Sequence, residues 1–299
     1  MNWIFSKGAQ KRLENVTGAG CIMLSGEKGL GKALAAKEIA ARLIGIHVDR
    51  LPSSMDFLYI FPSEGAIKAE DIHILKEFAM YAPSSSAPCK VCIIDDADCM
   101  TKTAGNALLK TLEEHSDTNL FLLVAHDSLL PTISSRSAEI AFHPLSDKEM
   151  EAIYPEADSV LLGLASGHPG RYEDFLKDSA YSSDVRQILS HLEKIRDKRD
   201  FFEILNLIRE KDKGSFFEKY DAVKVSAFLS MLSDVFLSVL MREDCVISTE
   251  NIRRLYTDDE LQANCLSIRD SIRRMKKKGQ FSKNDFFALV SLLVSPIRT

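Results

Sequence analysis

Short, uninterrupted apolar runs alternate with amphipathic stretches through the first half of the chain. The strongest runs cover residues 21–24, 91–94 and 120–125. Runs of this length are typical of strands that are buried on both faces of a parallel sheet. The stretches at residues 33–43 and 106–114 place apolar residues at helical spacing instead. This alternation predicts an α/β domain in which helices cover a parallel sheet.

Weaker patterns complete the same domain. Residues 56–60 predict a second strand, residues 68–80 a polar helix, and residues 140–145 the last strand. An amphipathic stretch within residues 1–20 predicts an entry helix that packs over the nucleotide edge of the domain, or an ordinary capping helix that needs no nucleotide. The sequence therefore assigns the whole segment 1–145 to one α/β domain.

Helical patterns dominate the rest of the chain. Ser146, followed by acidic residues, is typical of a helix N-cap with an acidic first turn and marks the first domain boundary. Several stretches beyond residue 182 are apolar nearly all round, which predicts helices buried in a bundle or an interface. We therefore expect a small helical lid domain at 146–181 and an all-helical domain at 182–299.

A glycine-rich loop follows the first predicted strand and precedes a helix, which is the context that defines a P-loop. Its glycines Gly26, Gly29 and Gly31 let backbone N–H groups point at a phosphate, and Lys32 adds a full positive charge. Ala33 stands where a serine or threonine hydroxyl would bind Mg²⁺. The motif thus predicts a degenerate P-loop that hydrolyses ATP poorly, with weak binding of ATP and Mg²⁺ left open.

Acidic residues follow the strand predicted at 91–94. Asp95 and Asp96 occupy the positions where a working ATPase holds Mg²⁺ through water and orients the attacking water. The second acid is an aspartate, one methylene shorter than the usual glutamate, and both carboxylates could instead cap the next helix. His126 follows the strand at 120–125, where it could bind a phosphate, although a solvent-facing loop position is the favoured interpretation.

Composition excludes some classes of protein. The net charge of −5 does not indicate a dedicated DNA-binding protein, and the basic run at 273–283 is either a solvated helix end or a DNA or partner contact. The chain has no apolar leader and no run that could span a membrane, so we expect a cytoplasmic protein with reduced thiols. Cys89 and Cys92 have metal-site spacing, but Cys92 lies in a predicted buried strand, which favours buried thiols over a metal site.

The order of residues from 91 to 136 resembles the ATPase domain of clamp-loader subunits, which are P-loop proteins of the AAA+ class. The likeness is greatest to the delta-prime subunits of bacterial clamp loaders. Residues 106–114 look like that family's helix after the Walker B strand, and the Ser-Arg-Ser of 135–137 looks like its Ser-Arg-Cys motif. Residues 164–171 resemble its Gly-Ser-Pro-Gly-Arg segment, with His168 in place of the serine.

The resemblance implies roles for two arginines. Arg136 would act in trans as an arginine finger on the ATP of a neighbouring subunit; the alternative is a salt bridge within its own loop. Arg171 would be a second sensor that touches a phosphate; the alternative is an ordinary surface residue. Many bacterial relatives carry a four-cysteine zinc module, but residues 45–57 contain no cysteine, so we expect no zinc and assign no metal ligands.

The resemblance also implies a function in DNA replication. The chain would be an assembly subunit of the DNA polymerase III clamp loader, requiring no cofactor of its own. Its partners would be the ATPase and clamp-opening subunits of a hetero-oligomeric ring, packed through the C-terminal helical collar. Through that complex it would help load the sliding clamp on primed DNA. The alternative is a catalytically active clamp-loader ATPase of the gamma/tau kind.

Overall fold

The computed structural model describes residues 7–84, 87–115 and 117–196, together with single residues at 200, 220, 224, 228, 235 and 250–251. The chain forms two compact units. The first comprises Met1–Ile153 with Gly167–Gly170, and the second comprises Tyr154–Ser166 with Arg171–Thr299. The first unit thus continues beyond residue 145, and the separation of a lid from a collar domain stays a prediction.

The first unit alternates strands and helices as its apolar pattern predicts. Its elements are α1 (Lys7–Glu14), β1 (Gly20–Ser25), α2 (Lys32–Ile44), β2 (Phe57–Ile60), α3 (Ala69–Ala79), β3 (Lys90–Ile94), α4 (Lys102–His115), β4 (Asn119–Ala125), α5 (Pro131–Ser134), β5 (Ala138–Ala141) and α6 (Asp147–Ile153). The last strand was predicted at 140–145 and is displaced toward the N-terminus. Phe142 still donates its N–H to the carbonyl of Ser25, and the chain leaves the sheet after that bond.

The five strands form one parallel sheet in the order β2-β3-β4-β1-β5. The register pairs Ser25 with Ala125 and Ile60 with Ile94, so neighbouring strands end at the same edge. The carboxyl-terminal edge of an open parallel sheet is where such folds bind ligands. Residues that directly follow β1, β3 and β4 are therefore brought together at that edge.

Alternate residues of the central strands pack on opposite faces of the sheet. Val91 and Ile93 belong to a buried cluster with residues of α1 and α2, whereas Cys92 and Ile94 belong to a cluster with residues of α3 and α4. This two-sided burial explains why β3 reads as a continuous apolar run. Cys89 and Cys92 are both buried free thiols, and burial raises the pKa of each, which confirms that they pack as small apolar groups.

Helix caps mark the transition out of the sheet. Ser146 and Glu149 form reciprocal bonds at the start of α6: the Ser146 N–H donates to the Glu149 carboxylate at 2.9 Å, and the Glu149 N–H donates to the Ser146 hydroxyl at 3.4 Å. This arrangement is a capping box and confirms the predicted N-cap.

The described part of the second unit is helical. It contains α7 (Ser159–Ala165), most of α8 (Pro169–Lys177) and α9 (Ser179–Glu193). Asp158 caps α7 and Asp178 caps α9 through their carboxylates. The apolar stretches predicted beyond residue 200 and the basic run at 273–283 lie outside the described residues. Among the described helices, none has the length and apolarity needed to cross a membrane.

Candidate functional site

The loop between β1 and α2 has the backbone of a P-loop. Gly26 has a φ of 135°, and a β-carbon there would lie 2.4 Å from the carbonyl oxygen of Phe142. Gly29 and Gly31 also have positive φ values, and Gly31 is the N-cap of α2. These backbone conformations favour glycine because it has no β-carbon. Local sterics and the neighbouring strand therefore shape the loop.

The Lys32 side chain turns inward instead of facing solvent. Its ammonium group donates to the carbonyls of Gly26 at 2.5 Å and Glu27 at 2.6 Å, and to Nδ1 of His126 at 2.9 Å. An ammonium group has three N–H donors, so all three are used by this chain's own atoms. Lys32 is 2% exposed. A phosphate could gain this lysine only by displacing one of these acceptors.

His126 links the P-loop lysine to the acidic strand end. Because the Lys32 ammonium donates to Nδ1, the ring proton lies on Nε2, which donates to Asp96 Oδ1 at 2.5 Å. The His126 backbone N–H also donates to Asp98 at 2.8 Å. The side chain is 22% exposed, so the interpretation as a solvent-facing loop histidine is wrong. The register of β4 beside β1 and β3 places the ring between the two loops.

Protein donors occupy both oxygens of Asp95. The hydroxyl of Tyr59 donates to Oδ2, and the backbone N–H of Asp96 donates to Oδ1 at 3.1 Å. The Asp96 side chain makes no capping bond to the short helical turn Ala97–Cys99, so that acid does not serve as a helix cap. Burial, followed by the bond to Asp95, raises the pKa of Tyr59 well above its ordinary value, which keeps this hydroxyl a donor.

The site lacks one Mg²⁺ ligand of a working P-loop. Asp95, Asp96 and His126 bring one ligand atom each within 4.8 Å of one another. However, Ala33 supplies no hydroxyl, and both oxygens of Asp95 already accept protein hydrogen bonds. The Lys32 ammonium additionally occupies Nδ1 of His126. We therefore derive no catalytic step that passes through a metal at this position.

Burial is the largest influence on Lys32 and lowers its pKa to about 8, although Asp95, Asp98, Asp96 and Glu27 act in the opposite direction. The ordinary value is 10.5, so between these two pH values the folded chain binds fewer protons than the unfolded chain. Stability must therefore rise with pH through this window.

We expect the free energy of unfolding of the wild type, relative to Lys32→Met, to increase from about pH 8 toward 10.5. Urea denaturation over this pH range measures the difference, and Lys28→Met controls for the loss of a lysine from the same loop. A difference between wild type and Lys32→Met that stays flat with pH would contradict the burial of a charged Lys32.

Residues 167–170 belong to the first unit, although they follow a segment of the second, and they contact the P-loop. The Gly170 N–H donates to the Gly29 carbonyl at 2.9 Å, and His168 Nε2 lies 3.1 Å from the Glu27 carboxylate. His168 is 3% exposed, so its ring packs inside the unit. Arg171 lies in the first turn of α8, as predicted for a helix start, and its role as a sensor stays a prediction.

Arg136 lies on the turn between α5 and β5. Its Nη2 is 2.7 Å from Glu113 Oε1 on α4, and its Nη1 donates to the Thr132 carbonyl at 3.3 Å. The hydroxyls of Ser135 and Ser137 donate to carbonyls of α5 on either side of the arginine. The side chain remains 45% exposed. A salt bridge within the domain is thus present, and it leaves the guanidinium accessible to a partner.

Sequence reasoning missed several members of this site. Tyr59, Glu27 and Glu113 were not singled out, because each is bound by a residue distant in the sequence. The alternation of β2 places Tyr59 on one face with Phe57, a pattern that could have suggested its direction but not its partner.

The strand order, the P-loop after β1 and the acids after β3 define an α/β P-loop domain of the AAA+ class. The fold is shared with a DNA polymerase III gamma subunit-related protein of Thermotoga maritima, with a TM-score of 0.50 and 20% sequence identity over 96% of this chain and 99% of that one. Residues 4–146 match a family model described as DNA polymerase III, delta subunit.

Curated relatives are also similar in sequence to part of the chain. The replication factor C small subunit of Methanosarcina mazei is 30% identical over 213 residues, which are 65% of this chain and 61% of that protein. The replication factor C small subunit of Methanococcus maripaludis is 32% identical over 135 residues, which are 43% and 40% of the two chains. The chain is therefore similar in sequence to replication factor C small subunits, and these matches span less than two thirds of those proteins.

Proposed function

We propose that this chain is a clamp-loader subunit of the delta-prime kind, which assists DNA replication without an efficient ATPase of its own. It joins ATPase and clamp-opening subunits in a hetero-oligomeric ring in the cytoplasm and helps load the sliding clamp on primed DNA. Arg136 acts in trans on the ATP of a neighbouring subunit. The match of residues 4–146 to a DNA polymerase III family and the similarity to replication factor C support this proposal.

The observation that carries the proposal is the contrast between two cationic side chains of the domain, Lys32 in the P-loop and Arg136 after α5. All three donors of Lys32 are bound by its own loop and by His126, and the adjacent Ala33 lacks the hydroxyl that Mg²⁺ requires. Arg136 is instead exposed and held at a defined turn. An arginine finger stabilises charge on the phosphoryl group that another subunit transfers, so it needs no nucleotide in its own subunit.

A second candidate is an active clamp-loader ATPase of the gamma/tau kind. Lys32, Asp95 and Asp96 meet at one edge of the sheet, as the catalytic groups of a P-loop ATPase must. The candidate requires Lys32 to exchange His126 or a carbonyl for a phosphate, and it requires a water or another group in place of the Ala33 hydroxyl.

We expect the purified chain to hydrolyse Mg·ATP far below about 1 s⁻¹, the lower end of ordinary enzyme turnover. A coupled assay of ADP release measures the rate, and Lys32→Ala identifies any contaminating ATPase because it leaves such a background unchanged. Lys32-dependent turnover of the isolated chain at an ordinary enzymatic rate would establish the gamma/tau alternative instead.

A further inference from the structure

Arg136 is fixed at two nitrogens, and one of its two partners is a carboxylate on a different helix. The Nη2 contact to Glu113 is 2.7 Å long, and the Nη1 contact to the Thr132 carbonyl is 3.3 Å long. We infer that Glu113 is a positioning residue for Arg136, which holds the guanidinium in the orientation that reaches a neighbouring subunit's phosphate. This inference rests on the proposed function of Arg136 in trans.

Side chains of the α5 region approach α4 closely at a glycine. A β-carbon on Gly105 would lie 2.7 Å from Cδ1 of Leu130 and 3.7 Å from Cδ1 of Ile133. Gly105 thus lets the two apolar side chains of the α5 region pack directly on α4. Glu113 lies two helical turns further along α4, where its carboxylate meets the arginine that follows α5.

The two bonds leave donors for a ligand. A guanidinium has five N–H groups, and the contacts to Glu113 and Thr132 use one on each terminal nitrogen. The remaining N–H groups belong to a side chain that is 45% exposed. A planar guanidinium held at one edge can therefore present another edge to a phosphate without being released.

Holding the arginine reduces the entropy lost when it reaches the transition state. An arginine side chain is among those that lose the most rotamer freedom on being fixed. An exposed ion pair is a modest restraint. It changes the equilibrium between the held and the released rotamers of the side chain by about two- to fivefold. The role of Glu113 is therefore to set the fraction of time that Arg136 spends in the productive rotamer.

The experiment uses the chain reconstituted with its ATPase and clamp-opening subunits. Single-turnover DNA-stimulated ATP hydrolysis at a series of ATP concentrations gives kcat and KM for the site that Arg136 serves. We expect Glu113→Ala to lower kcat by about three- to fivefold with little change in KM, because the finger acts in the transition state. Glu113→Gln keeps an oxygen that accepts the Nη2 hydrogen bond, so it should restore kcat to within about 1.5-fold of wild type.

Controls separate this role from folding and from net charge. Glu77→Gln, which removes the charge of an exposed glutamate on α3, should leave kcat unchanged. Thermal unfolding of Glu113→Ala should match wild type closely, because the pair is exposed on both sides. Arg136→Ala serves as the reference for complete loss of the finger.

The possible results distinguish a failure of the positioning role of Glu113 from a failure of the proposed function of Arg136. If Arg136→Ala is damaging and Glu113→Ala is silent, Glu113 has no positioning role although the proposed function stands. If Glu113→Ala and Glu113→Gln both raise kcat, the carboxylate restrains the finger from its target, and the inference is overturned. If Arg136→Ala is itself silent, the proposed function fails and the inference fails with it.

Discussion

We expect the replacement of Arg136 with alanine to lower the DNA-stimulated ATPase rate of the reconstituted clamp-loader complex by about 10³-fold or more at the site that Arg136 is proposed to serve. The expected loss is large because the guanidinium neutralises charge that appears on the phosphoryl group only in the transition state. The relevant measurement is single-turnover hydrolysis by the complex, since steady-state rates average over sites that Arg136 does not contact. Arg136→Lys should recover little, because an ammonium group lacks the planar fork of donors.

The matched control is Lys32, the cationic residue that ends the P-loop. Lys32→Ala should leave the rate of the complex nearly unchanged, because the donors of Lys32 are bound by its own loop and by His126. Size-exclusion chromatography of both variants shows whether the ring still assembles. If Lys32→Ala removed most of the activity while Arg136→Ala was harmless, this chain would be hydrolysing its own ATP.

Gly26→Ala should destabilise the first unit by about 3–5 kcal/mol, which is a large effect for the addition of one methyl group. Two costs combine. The φ of 135° is a conformation that L-residues rarely adopt, and the new β-carbon would lie 2.4 Å from the Phe142 carbonyl oxygen. That carbonyl belongs to the residue that bonds to Ser25, so it cannot move without loosening the exit of β5 from the sheet.

Equilibrium urea denaturation followed by far-UV circular dichroism measures this change. Gly18→Ala is the matched control, because Gly18 lies in the loop before β1 and a β-carbon there meets nothing within 4 Å. We expect the control to remain within about 0.5 kcal/mol of wild type. Equal stability of the two variants would show that the P-loop backbone relaxes freely around Gly26.

The local pattern of apolar residues predicts the sheet well, because helical layers on both faces bury each central strand. The continuous apolar runs that became β3 and β4 have 0% exposure at their core positions, so hydrophobicity alone specifies them. The last strand was misplaced because Phe142 and Leu145 are apolar and buried, yet they pack outside the ladder. Apolar character indicates that a residue is buried. Whether the residue belongs to a strand depends instead on backbone hydrogen bonds to the neighbouring strand.

The sequence predicts where the residues of the candidate site lie along the sheet, but it does not predict which side chains contact one another. Strand ends place Asp96 and His126 at one sheet edge, and a parallel register makes their proximity foreseeable. The bond from Lys32 to His126 was not foreseeable from the sequence. Whether a lysine side chain points inward or outward depends on which acceptors the folded loop presents to it. The same holds for Glu113 and Arg136, whose contact depends on how α4 packs against the residues that follow α5.

The glycines of the P-loop are required by packing as well as by phosphate binding. Gly26 is enclosed by the Phe142 carbonyl, and a β-carbon on Gly170 would lie 3.2 Å from the Gly29 backbone. Purifying selection on folding would therefore preserve this glycine pattern in a lineage that no longer bound nucleotide. Packing alone can therefore keep a P-loop signature in place, and in such a lineage the loss would show first at position 33, where Ala33 supplies no hydroxyl for Mg²⁺.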